Sequence, residues 1–141
     1  MQITRETDYG IRCVYYLALN AGKVAMVDEI SRATDTPKSF IAKILQKLTR
    51  GGFVKSYRGV KGGFTLSRPP GEITLLDVIR AVQGPVAMNA CALDKKICSR
   101  SATCAIHPVW IEIRKEVEDI LKKKNFGDFV QQHPKLPDQP L

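Results

Sequence analysis

Residues 34–70 read "TDTPKSFIAKILQKLTRGGFVKSYRGVKGGFTLSRPP". The stretch opens as a turn, in which Thr36 can cap a helix and Pro37, with its preset φ, suits the first helical position. Phe40, Ile41, Ile44, Leu45 and Leu48 then recur at helical spacing as an apolar stripe, and Gly51 and Gly52 end the run. The opposite face carries Ser39, Ala42, Lys43, Gln46 and Arg50, with no acid among them. Two β-prone runs, Phe53 to Tyr57 and Phe64 to Ser67, flank a glycine-rich basic turn from Arg58 to Gly63. That pattern predicts a hairpin with a cationic tip.

Upstream, Ile11, Val14, Tyr15, Ala18 and Leu19 predict a helix over Thr4 to Asn20, closed by "NAG". A short helix, Val27 to Ala33, leads into the turn. Helix, turn, helix and then hairpin make a winged helix-turn-helix. In that architecture the second helix enters the major groove of DNA and the hairpin reaches the adjoining minor groove, where Arg58 and Lys61 would meet its negative potential.

Charge supports the same placement. The net charge is +8, and residues 1–70 carry 12 Lys and Arg against 5 Asp and Glu, whereas residues 71–141 carry 10 against 9. Between Lys38 and Arg68 lie eight basic residues and no acid. A polyanion-binding face requires such a segment; a face that is merely solvated would mix in acids.

Downstream, "ITLLDVIRAVQG" predicts a helix in which Thr74 and Asp77 have capping-box spacing. From Pro108 to Lys124, Val109, Trp110, Ile113, Val117, Ile120 and Leu121 form a stripe suited to pairing with a second copy, although it could also pack on its own domain. The expected fold is mainly α (α+β), a winged helix-turn-helix DNA-binding domain with a long C-terminal dimerisation helix. The expected division is 1–83 for the DNA-binding domain, 84–107 for a cysteine-rich loop, 108–130 for the dimerisation helix and a following turn, and 131–141 for a Pro-rich disordered tail. No stretch resembles a signal peptide or a membrane span, so a cytoplasmic protein is expected.

Cys91, Cys98, Cys104 and His107 fall within seventeen residues among Lys, Arg, Ser and Asp. In a reducing compartment such a cluster points to metal or redox chemistry rather than disulfides. Zinc sites usually include a close Cys-x-x-Cys pair, which this loop lacks. Thiolates spread along a loop suit the separated irons of an iron–sulfur cluster better. Spacing alone leaves cluster, zinc and unmetallated thiols open. No phosphate-cradling loop or evident catalytic arrangement of histidine with cysteine supports an enzyme. Cys13, away from the loop, reads as a packing residue.

"TDYGIR", "SFIAKILQKLTRGGFV", "RGVKGGFTLSRPP", "ITLLDVIRAV", the triple-cysteine loop, "HPVW" and "NFGDFV" together resemble the iron–sulfur winged-helix regulators of the IscR and NsrR type over nearly the whole chain. The resemblance implies a homodimeric transcription regulator whose cluster state alters its hold on a palindromic double-stranded DNA operator. It implies Cys91, Cys98, Cys104 and His107 as holders of a 2Fe-2S cluster. Asp8 matches the position from which NsrR-like proteins supply a carboxylate across the dimer to a 4Fe-4S cluster, which makes it the alternative fourth ligand. On physical grounds Asp8 also suits the first turn of a helix, and His107 could cap the helix beginning at Pro108. The DNA-facing set is then Lys38, Ser39, Ala42, Lys43, Gln46, Arg50, Arg58 and Lys61. Ala42 stands where IscR-like proteins can carry an acid, and its methyl can make only apolar contact, for example with thymine. A metal-free, thiol-sensing regulator of the same fold is the alternative function.

Overall fold

The computed structural model describes residues 1–132. Along them run α1 (Arg5–Leu19), α2 (Val27–Thr34), α3 (Lys38–Arg50), β1 (Val54–Tyr57), β2 (Gly63–Leu66), α4 (Leu75–Val82), α5 (His107–Lys122) and α6 (Phe126–Gln132). The arrangement is that of a winged helix-turn-helix.

α1 begins where Thr4, in extended conformation, accepts a hydrogen bond from the Thr7 N–H at 3.2 Å. Its buried face is Thr7, Gly10, Cys13, Val14, Leu17 and Ala18. The expected stripe is therefore rotated, leaving Ile11, Tyr15 and Leu19 only half-buried. Small side chains cause this rotation by allowing neighbouring helices close. A Cβ at Gly10 would stand 3.0 Å from Val82 Cγ2 of α4, so Gly10 is where the two helices nearly touch.

The turn before α3 is built differently from expectation. Pro37 is itself the N-cap, without a side-chain cap, and the buried Thr36 hydroxyl donates back to the Thr34 carbonyl at 3.2 Å. Ser31 Oγ donates to the Thr36 carbonyl at 2.6 Å, which locks Thr36 inward and away from the helix end. Asp35 closes α2 in the left-handed region at φ 49°. α3 buries Ile41, Ile44, Leu45 and Leu48 completely. Phe40, expected in that stripe, sits at its edge and meets the Tyr9 ring edge-on at 5.3 Å.

β1 and β2 pair antiparallel with Val54 opposite Leu66 and Tyr57 opposite Gly63. The hairpin is anchored by Ala25, which exchanges two 2.8 Å backbone hydrogen bonds with Phe64. Gly63 is required there, because any Cβ would strike the Ala25 carbonyl oxygen. α4 starts with the predicted box: Asp77 N–H donates to Thr74 Oγ1 and Thr74 N–H donates to Asp77 Oδ2.

α5 begins at His107, with Ile106 as its N-cap, so His107 is not the cap, and it ends at Lys122 rather than Lys124. Its apolar residues divide between two sides. Val117 and Leu121 pack on a small core of Leu76, Ile79 and Val86. Val109 and Ile120 face outward, 43% and 57% exposed. The turn expected after this helix is instead α6, which folds back on α1 and puts Phe126, fully buried, into the main core. Gln131 and Gln132, expected to begin the disordered tail, finish α6, and residues 133–141 lie outside the described residues. Among the described residues no helix is long and apolar enough to cross a membrane.

Candidate nucleic-acid interface and cysteine loop

Because Ile41, Ile44, Leu45 and Leu48 are drawn into the core, the other face of α3 is pushed into solvent. Lys38, Ser39, Ala42, Lys43, Gln46 and Arg50 are all exposed on it. On the wing, Arg58 and Lys61 stand exposed at either side of Val60, which is 97% exposed at the tip. These cationic groups sit on two neighbouring elements and can follow the phosphates on either side of a groove.

The basic segment is not acid-free in three dimensions. Asp28 of α2 reaches Lys38 at 3.0 Å, and Glu6 of α1 reaches Lys47 at 2.9 Å. Lys47 also donates to the Val82 carbonyl at 3.0 Å, so it clamps α3 to α1 and α4. Arg68 lies over the Phe53 ring, 4.9 Å from its centre. Lys43, Arg50, Lys55, Arg58 and Lys61 make no ion pair among the described residues, so the cations free to meet a phosphate are fewer than the sequence count suggests.

The loop from Gly84 to Ile106 has two parts. Val86 and Ala92 are 1% and 4% exposed and pin the first part, which includes a helical turn at Ala90–Ala92 carrying Cys91. After Ala92 a second turn, Lys95–Ile97, is capped by Asp94, which accepts from the Lys96 N–H at 2.9 Å, and the chain runs exposed through most of Leu93 to Ile106. The thiols of Cys91, Cys98 and Cys104 are all unpaired, the first and third half-buried and Cys98 exposed. Cys98 and His107 line one open cavity of about 540 Å³ with Lys95, Lys96, Ser99, Ser101 and Ala102. His107 Nδ1 is buried without a hydrogen-bond partner among the described residues, and the His107 backbone N–H donates to the Cys104 carbonyl at 3.3 Å.

The structure thus brings Cys98 and His107 together but does not gather the whole predicted donor set. Among the described residues no three of His, Cys, Asp and Glu converge as a metal-holding group. Asp8 lies in the first turn of α1 and pairs with Arg12 at 2.9 Å. Chemically the loop fits an iron–sulfur cluster, since it offers three unpaired thiols and an imidazole nitrogen that no other described residue engages. Cys13 is fully buried in the main core, and burial pushes its thiol up to about 12.

Residues 3–132 match the family described as Rrf2, iron-dependent transcriptional regulator. A protein of Aquifex aeolicus named as an HTH-type transcriptional regulator is 32% identical over 124 residues, covering 86% of this chain and 86% of its own. CymR (YrzC), the global cysteine regulator of B. subtilis, superposes with a TM-score of 0.75 at 26% identity, covering 94% of this chain and 98% of that one. T. potens IscR shares the fold with a TM-score of 0.75 at 22% identity, covering 94% of this chain and 88% of its own. The family and the Aquifex relative are described as regulators of transcription, not enzymes. A winged helix-turn-helix with an outward basic face, matched from residue 3 to residue 132, makes this chain a DNA-binding member of the Rrf2 family of iron-dependent transcriptional regulators.

Proposed function

We propose that the chain acts as a homodimer on a palindromic operator, and that its hold on DNA answers to an iron–sulfur cluster carried by Cys91, Cys98, Cys104 and His107. The observation that carries this reading is the loop itself: three unpaired thiols beside a buried, unpartnered His107 Nδ1, on the segment joining α4 to α5. When bound, a 2Fe-2S cluster supplies a redox-active centre, and one imidazole among its ligands makes it sensitive to protonation. The chain's own residues do the rest. Ser39, Ala42 and Gln46 face the bases, while Lys43, Arg50, Arg58 and Lys61, and Lys38 once it exchanges Asp28 for a phosphate, meet phosphates and the minor groove. The outward side of α5, with Val109 and Ile120, pairs two copies and so sets two reading helices on one duplex.

Iron and sulfide counts on anaerobically isolated protein, with Mössbauer spectra, test the cluster. The expected result is a 2Fe-2S signature that His107→Ala bleaches or shifts and Asp8→Ala leaves nearly unchanged. A stable 4Fe-4S cluster abolished by Asp8→Ala would overturn the choice of His107. Iron-free protein whose DNA binding follows thiol oxidation would favour the second reading, a thiol-sensing regulator, for which the exposure of Cys98 is the supporting observation.

A further inference from the structure

A line of side-chain bonds leads from the cysteine loop to the recognition helix. Arg114 of α5 donates through Nη1 to the Ala92 carbonyl at 2.8 Å, directly after Cys91. Its Nε donates to Glu118 at 3.3 Å, and Arg80, in the last turn of α4, pairs with the same Glu118 oxygen at 3.0 Å. Two residues beyond Arg80, the Val82 carbonyl seats Lys47 of α3. Gln83 follows and ties down the N-terminal residues and the start of α1, accepting from the Thr7 hydroxyl at 2.9 Å and donating to the Gln2 carbonyl at 2.9 Å. The end of α4 is therefore a junction that the cysteine loop grips from one side and the recognition helix from the other.

We infer that Arg114, Glu118 and Arg80 are positioning residues that transmit a change at the Cys91 turn to the seat of α3 and so to DNA affinity. The inference rests on the proposal that this loop is the sensing element. Glu118 is suited to the role because its side chain is only 20% exposed and one oxygen takes both guanidinium groups, so breaking either bond leaves the other misaligned. Within the cysteine loop Arg114 engages backbone rather than a side chain, so it reads the position of the turn whatever occupies the thiol.

The test uses the full-length, iron-free chain with Cys98→Ser and Cys104→Ser, so that Cys91 is the accessible thiol and Cys13 stays buried. Cys91 is capped with N-ethylmaleimide, and affinity is measured for a duplex selected from a random pool by the unmodified chain. The cap is expected to change affinity by at least about fivefold, the lower end of ordinary allosteric coupling. In Glu118→Gln, a near-isosteric change, and separately in Arg114→Met, the same cap should change affinity by less than about twofold, with uncapped binding nearly as before. Equal responses to the cap with and without Glu118, or no response in the chain that keeps it, would overturn the inference. Iron and sulfide uptake by the wild-type chain reads the cluster proposal separately, so a chain that takes up no iron yet shows this coupling keeps the inference and loses the cluster.

Discussion

Cys13 and Glu118 show how position decides what a titratable side chain does. Cys13 is sealed in the main core with its thiol raised by burial to about 12, so it should resist maleimide in the folded protein while Cys98 reacts. Cys13→Ser places a hydroxyl where water cannot follow and should cost about 1–3 kcal/mol in urea unfolding. For Glu118, burial alone would raise the carboxyl, but hydrogen bonds and charge from Arg80 and Arg114 outweigh it and hold it below the usual carboxylate range. A carboxyl depressed in the folded state contributes stability above its unfolded value and loses it as pH falls through the folded one. Glu118→Gln should therefore flatten the acid side of a plot of urea midpoint against pH.

At the scale of elements, α3 and the wing divide their cations by partner. Lys43→Ala or Lys61→Ala removes a group with no ion pair among the described residues, and binding should weaken on all sequences while the salt slope falls by roughly 0.9 for each phosphate left unneutralised. Gln46→Ala removes an exposed amide able to pair with adenine and should cost about 1–3 kcal/mol, mainly on the selected site. Lys47→Ala should behave differently. It leaves Glu6 half-buried without its cation and the Val82 carbonyl without its donor, so a loss of about 1–3 kcal/mol should appear in thermal unfolding of the free protein. If Lys47→Ala instead changed only the salt slope, the clamp would be wrong.

Across the whole molecule, the outward side of α5 is the surface to disrupt. Ile120→Asp puts a charge on that face without touching the Leu76, Ile79 and Val86 core, so the chain should sediment as a folded monomer and lose most of its affinity for a palindromic duplex. What the sequence by itself determined is the winged helix-turn-helix. The 3.6-residue stripe of α3, the glycine-bounded hairpin and the Thr74–Asp77 box are local patterns, written in neighbouring residues and obeyed by them. The crowding of Cys91, Cys98, Cys104 and His107 is likewise written in the sequence, but among the described residues only Cys98 and His107 come to line one cavity. Tertiary structure alone decided the rest, because each remaining feature joins residues distant in the chain. Small Thr7, Gly10 and Cys13 turned the buried face of α1, since helices pack closest where side chains are least. Phe126 drew α6 into the core, and no periodicity in seven residues announces that. Asp28 and Glu6 neutralised two lysines that look free in the linear sequence, and the bond from Arg80 to Glu118 exists only because α4 and α5 lie side by side. Charge can be counted along a sequence, but which charge meets which is settled by distances that only packing creates.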